Sequence, residues 1–163
     1  MQCVAIVTSS SDAKLQRLRD LGARHLINYK KTPDWADEVL KITGGLGADV
    51  IVESGGPGTM DQSLKAVAEG GTISAIGVLT GITDDKPRMA MSLSLINRNA
   101  AIKGINIGPR DRTEEMISLY TSTEIHPVID RTFGLQDAKA ALKYVRDGSH
   151  FGKVVIKIAS CHE

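Results

Sequence analysis

Short runs rich in Val and Ile alternate with amphipathic helical stretches along the whole chain, and this alternation restricts the fold more than any other feature. "CVAIVT" (Cys3–Thr8), "HLINY" (His25–Tyr29), "ADVIVESGG" (Ala48–Gly56), "TISAIGV" (Thr72–Val78), "AAIKGINIG" (Ala100–Gly108) and "GKVVIKI" (Gly152–Ile158) read as strands, and "HPVIDRTFG" (His126–Gly134) as extended chain. Between them lie predicted helices over Ser11–Gly22, Thr32–Gly45, Gly58–Gly71, Arg110–Ser122 and Leu135–Gly148. The first places Leu15, Leu18 and Leu21 on one face, with Ser11 or Asp12 as its cap and Gly22 as its stop. In the second, Pro33 sits in the first turn and Gly44-Gly45 close the end. An irregular segment, Leu79–Arg88, leads into a Met- and Leu-rich stretch, "MAMSLSLINRN", with helical character. Strand and helix alternating at this spacing give parallel strands joined by crossover helices. The continuous apolar strands agree, because a parallel sheet is covered on both faces.

The bulk properties exclude several classes. A chain of 163 residues is long enough for one domain with a real core. A net charge of +1 gives no general attraction for nucleic acid or a charged surface, so any anion site must be local. No apolar run reaches the length of a membrane span, and "MQCVAIVT" lacks the charged start of a signal peptide. Cys3 and Cys161 lie near opposite ends and make neither a metal motif nor a disulfide framework, which points to a reducing, cytoplasmic compartment. His25, His126, His150 and His162 are scattered, without a carboxylate at catalytic spacing, and no metal cluster is visible.

In sheets of this kind ligands bind beyond the C-terminal ends of the strands. Four of those ends are rich in small residues: Ser9-Ser10-Ser11, Ser54-Gly55-Gly56, Gly77, and Asn106 to Gly108. Each alone is adequately explained as a turn. Four on one edge favour a long ligand lying across the sheet, approached closely by the backbone.

The pieces "SSSDAKLQRLRDLGARHLINYK", "GADVIVESGG", "SLKAVAEGGTISAIG", "IKGINIGPRDRTEEM" and "HPVIDRTFGLQDAKAALKYVRDGSHFGKVVIKI", in this order, resemble the coenzyme-binding domain of the medium-chain dehydrogenases/reductases. The nearest branch is the zinc-type alcohol dehydrogenase and quinone oxidoreductase group. The resemblance implies an α/β fold, a Rossmann-like doubly wound parallel sheet, truncated at the N-terminus. Residues 1–158 would form one partial NAD(P)-binding domain and 159–163 a tail. The fingerprint G-x-G-x-x-G that opens such domains is missing, since "GGPGTM" and "GGLGA" have neither its spacing nor its position. The chain starts at what resembles the family's second strand. In the order 3-2-1-4-5-6 the absent first strand is central. The sheet is therefore expected to close by direct pairing, to leave a solvated cleft, or to borrow a strand from a second chain.

By the same resemblance, Ser54, Gly55, Ile76, Gly77, Ile105, Asn106 and Ile107 match positions lining the ribose and nicotinamide of a dinucleotide. None of them carries a proton or a nucleophile, so no catalytic residue is assigned. An NAD site usually ends its second strand with an acid that reads the ribose 2′-OH. Here Thr8, Ser9 and Ser10 stand there, and Lys14 and Arg17 follow on the helix. Hydroxyls and cations at a helix start suit a 2′-phosphate, so Ser9, Ser10 and Lys14 are assigned to NADP(H). Ser11 and Asp12 are read as capping residues. Tyr29 lies by resemblance at the adenine-ribose end, or is simply a partly buried strand-end tyrosine. Gly152 and Lys153 come near that region in related reductases, and Lys153 reads equally well as a solvated strand-edge lysine.

The expected function is the NADP(H)-binding portion of an oxidoreductase moving hydride between nicotinamide and a carbonyl, alcohol or quinone/enone. Without the glycine turn, weak cofactor affinity or none is expected, and no turnover. A different class remains open: a non-catalytic α/β assembly or binding module, in which, as the resemblance implies, the Ala100–Gly108 strand is the sheet edge that pairs in a homodimer, and its apolar "AAIKGINI" suits that. An adenosylmethionine-binding domain is a third reading, although its early glycine turn and ribose-binding acid are also missing. Neither nucleic acid nor membrane is an expected partner.

Overall fold

The computed structural model describes residues 3–82 and 89–159, so Cys161, His162 and most of the expected tail lie outside the described residues. The chain forms two compact units, Met1–Ile107 and Gly108–Glu163. The first contains β1 (Ile6–Ser9), α1 (Asp12–Asp20), β2 (His25–Asn28), α2 (Trp35–Ile42), β3 (Ala48–Glu53), α3 (Pro57–Ala66), β4 (Val67–Ala75), α4 (Met89–Arg98) and β5 (Ala101–Gly104). The second contains α5 (Arg110–Thr123), β6 (Ile129–Gly134), a 3₁₀ turn over Leu135–Asp137, α6 (Ala138–Arg146) and β7 (Lys153–Lys157). All strand pairings are parallel, as the crossover pattern requires.

In the first unit β1 bonds β2, and β3, β4 and β5 form a separate three-stranded ladder. Among the described residues β1 and β3 do not bond each other, so direct pairing does not close the sheet. The two ladders share one core instead. Ile27 of β2, Ala36 and Val39 of α2 and Ala66 of α3 form a buried cluster, against which Ile6 of β1 and Ile51 of β3 both pack. A second cluster, Leu64, Val67 and Ile73, is closed by Met60, Leu95 and Ile102. Ile73 and Val67 are fully enclosed, and burying a side chain of that size stabilises by roughly 1.5–3 kcal/mol. In the second unit Tyr144 packs at 6.0 Å from Phe133, the Arg131 guanidinium lies 4.5 Å from the Tyr144 ring centroid, and the Tyr144 hydroxyl donates to Asp130 at 2.7 Å.

The helix ends follow local chemistry. Ser11 caps α1, its Oγ accepting the Lys14 N–H at 3.4 Å. Gly22, at φ +97°, turns the chain out of the helix, and its N–H bonds Arg19 O while the Ala23 N–H bonds Leu18 O. Leu21, expected on the buried face, is the C-cap and lies exposed.

Several expected boundaries are corrected. The helix predicted to run to Gly71 ends at Ala66, because Val67 pairs with Ala48 and begins β4. Pairing then skips to Val50–Thr72, so Ala68 to Gly71 bulge out of the ladder. The strand predicted over Cys3–Thr8 is Ile6–Ser9, with Cys3 exposed before it. Its expected burial on both faces is not found either, since Thr8 is exposed and Ile6 and Val7 are only half-buried. On β3, Val50 and Val52 are exposed while Ile51 packs into the core, so this strand also buries a single face. The strand predicted over Ala100–Gly108 stops at Gly104. The helix predicted over Thr32–Gly45 is confined to Trp35–Ile42, with Asp34 as its cap and Pro33 ahead of it.

Candidate functional site

The parallel register brings the ends of β3, β4 and β5 level. Glu53 pairs with Ala75, and Ala75 with Gly104. The bonding continues one residue further: the Ile76 N–H donates to Glu53 O at 2.8 Å and the Ile105 N–H to Ala75 O at 2.9 Å. Ser54, Ile76 and Ile105 therefore stand side by side where the strands end. All three are exposed, as is Ile107. Gly77 is required by closeness: a Cβ there would lie 2.8 Å from Ser54 O. The turn after β3 is bonded to the chain leaving β4, with Leu79 N–H to Ser54 O at 3.1 Å and Thr80 N–H to Gly55 O at 2.8 Å. The Thr80 hydroxyl also donates to Gly55 O and accepts the Gly58 N–H.

At the end of β1, Ser9, Ser10 and Lys14 are half-buried at the entry to α1. Ser9 Oγ accepts the Ser11 N–H at 3.3 Å, and the Tyr29 N–H donates to Ser9 O at 3.1 Å. Tyr29 thus follows β2 beside Ser9, and the residue is 43% exposed. Asp12 does more than complement the helix start. Its carboxylate accepts from Lys31 Nζ at 2.6 Å and from Asn28 Nδ2 at 2.7 Å. The Lys31 hydrogen bond first, and the Asn28 bond second, hold its pKa below the ordinary 3.8. Asp12 is thereby charge-matched by Lys31.

Gly152 and Lys153 belong to the second unit. Gly152 has a local reason to be glycine, because a Cβ would strike Val128 O, and the Lys153 N–H donates to that same oxygen at 2.8 Å. The structure gives both a role in joining β6 to β7, and Lys153 is exposed.

One residue of the site escaped the sequence reading. Glu53, last in β3, is 4% exposed. Its Oε1 accepts the N–H groups of Gly55 at 2.7 Å and Gly56 at 3.1 Å and the Thr59 hydroxyl at 2.6 Å, and its Oε2 accepts from Ser63. A signal was present in the sequence: an acid directly before Ser-Gly-Gly, followed by Thr59 and Ser63 four residues apart on one helix face. Among the described residues no group of three or more His, Cys, Asp or Glu side chains could hold a metal ion.

The family description "zinc-binding dehydrogenase" matches residues 1–122. The chain belongs to the zinc-binding dehydrogenase family. A zinc-type alcohol dehydrogenase-like protein of Schizosaccharomyces pombe is 41% identical over 152 residues, which are 93% of this chain and 44% of that protein. Among solved structures, a putative alcohol dehydrogenase of Sinorhizobium meliloti superposes with a TM-score of 0.82 at 40% identity, covering 94% of this chain and 43% of the other. A structure described as an NAD-dependent alcohol dehydrogenase gives 0.81 at 30% identity, again over 94% and 43%. The chain thus spans less than half the length of these zinc-binding dehydrogenase relatives. Parallel strands with flanking helices are the Rossmann-like coenzyme-binding architecture of the medium-chain dehydrogenases/reductases.

Proposed function

We propose that this chain is the NADP(H)-binding part of an oxidoreductase that moves hydride between a nicotinamide and a carbonyl, alcohol or quinone/enone group. The observation that supports it best is the level edge of β3, β4 and β5, where Ser54, Ile76 and Ile105 stand exposed side by side. The bound cofactor supplies the hydride. The chain's own residues bind and orient: Ser54, Gly55, Ile76, Gly77, Ile105, Asn106 and Ile107 at the nicotinamide end, and Ser9, Ser10 and Lys14 at the 2′-phosphate, with Tyr29 beside them. Gly152 and Lys153 are kept as cofactor contacts on the resemblance alone. No catalytic residue is assigned among these nicotinamide-end positions, so the chain is expected to be inactive by itself. The cytoplasm is the compartment this reading assigns.

Residue-resolved NMR titration tests this, because it reads weak binding. NADPH is expected to shift Ser9, Ser10, Ser54 and Gly55 with millimolar to high-micromolar affinity. It should bind about tenfold more tightly than NADH, the scale of one or two charge-assisted hydrogen bonds. Equal binding of the two refutes the phosphate assignment, and no shift at either end refutes the cofactor reading. A second reading has its own support: β5 is the last strand of its ladder, and a homodimer through that edge would make the chain an assembly module. Dimers in sedimentation, together with no nucleotide response, favour it.

A further inference from the structure

The glycine turn after β3 looks at first like an anion site. Gly56 caps α3 at φ +85°, Pro57 occupies the first helical position, and consecutive amide N–H groups converge ahead of the helix. Those amides are already taken. Glu53 Oε1 accepts from Gly55, Gly56 and Thr59, and Oε2 accepts from Ser63, which is itself fully buried. The carboxylate stands where a bound phosphate oxygen would stand, covalently tethered and 4% exposed. The carbonyls of the same turn are bonded as well, Ser54 O to Leu79 and Gly55 O to Thr80. Ser54 is exposed, and its hydroxyl is the polar side-chain group at this turn.

The structure assigns Glu53 as a positioning residue: a built-in anion that closes this turn to phosphate and fixes Ser54, beside Gly55, to meet an uncharged polar group, a ribose hydroxyl or a carboxamide. The assignment rests on the cofactor reading above for the identity of that group. Its closure of the turn to phosphate stands independently of it. A carboxylate meeting amide and hydroxyl donors inside the fold makes bonds of the charge-assisted kind. An external phosphate would have to displace it and leave it buried and unpaired.

The test uses the full chain, residue-resolved NMR, inorganic pyrophosphate and NADPH. In the unaltered chain, pyrophosphate leaves Gly55 and Gly56 unmoved, whereas NADPH shifts Ser54 and Gly55. Glu53→Ala opens the turn: pyrophosphate now shifts Gly55 and Gly56, and the NADPH response at Ser54 weakens about tenfold while that at Ser9 and Ser10 stays within about twofold. Glu53→Gln keeps the shape and an acceptor oxygen, so its Ser54 response stays within about threefold, a rescue that separates positioning from loss of fold. If Glu53→Ala does not fold, Glu53→Asp carries the comparison. It draws the carboxylate back by one methylene, which weakens the Ser54 response and leaves Ser9 and Ser10 unchanged. Pyrophosphate shifts at Gly55 and Gly56 in the unaltered chain overturn the closure. Equal weakening at Ser54 and Ser9 in these variants overturns the positioning role. An unaltered chain that ignores NADPH at every residue overturns the cofactor reading, and with it the ligand assigned to Ser54, whatever pyrophosphate does.

Discussion

Replacing Gly56 by alanine separates two costs that are usually confounded. Gly56 holds φ +85° and ψ −143°, a region that residues with a Cβ rarely enter. A Cβ there would also lie 2.9 Å from the Val78 Cα and 3.3 Å from Gly77 O, both backbone, so the chain leaving β4 must move. The strain costs about 1–3 kcal/mol, and forcing atoms into filled space adds about 1–3 kcal/mol. Gly45 is the control: φ is +89°, but a methyl group added there would meet nothing within 4 Å, so Gly45→Ala carries conformational strain alone, roughly 1–2 kcal/mol. Together these put Gly56→Ala at about 2–6 kcal/mol against about 1–2 for Gly45→Ala, a difference centred on about 2–3 kcal/mol. Trp35 is the single tryptophan and packs against the core of the first unit, which contains both glycines, so its fluorescence reports the right transition. With urea slopes of about 1–3 kcal/mol/M, the midpoint of Gly56→Ala should fall below that of Gly45→Ala by roughly 1 M. Coincident midpoints would refute the claim that the turn after β3 is pressed against the exit of β4.

Two further outcomes follow from the same geometry. Carboxyl NMR should place the Asp12 pKa below 3.8, and Lys31→Met should return most of the shift. Because the folded value is depressed, any stabilisation is present above the unfolded pKa and lost as pH falls through the folded one. The pair is exposed, so salt should erase it. Ile73→Ala should destabilise the first unit by about 2–5 kcal/mol in the same urea assay, since the side chain is fully buried and central to its cluster.

The α/β alternation, the parallel pairing and the glycine-terminated helices were legible because each depends on local pattern: Ser11 and Gly22 delimit α1 as read. The start of β4 was not legible. "LKAVAEGG" continues a helical pattern, and only the pairing of Val67 with Ala48, a whole helix earlier in the chain, ends α3 at Ala66. Apolar periodicity likewise suggested two covered faces for β3, whereas coverage depends on which elements pack there, and Val50 and Val52 lie exposed. At the site, small residues marked the strand ends, and the acid before Ser-Gly-Gly with Thr59 and Ser63 behind it was a signal that did not by itself say Glu53 is buried. A buried carboxylate is visible only once its amide and hydroxyl donors are gathered from the turn and α3.

The arrangement of the two ladders in the first unit also fixes how its backbone exchanges with solvent. In a parallel strand successive residues direct their amides to opposite sides. Among the described residues β1 bonds β2 alone and β3 bonds β4 alone, so along each of these strands amides held by a neighbouring strand alternate with amides that no strand holds. β4 is bonded on both sides. Deuterium uptake should therefore be patterned residue by residue in β1 and β3 and uniformly slow from Thr72 to Ala75, so that the slowest protons of the unit lie on one short stretch through Ile73.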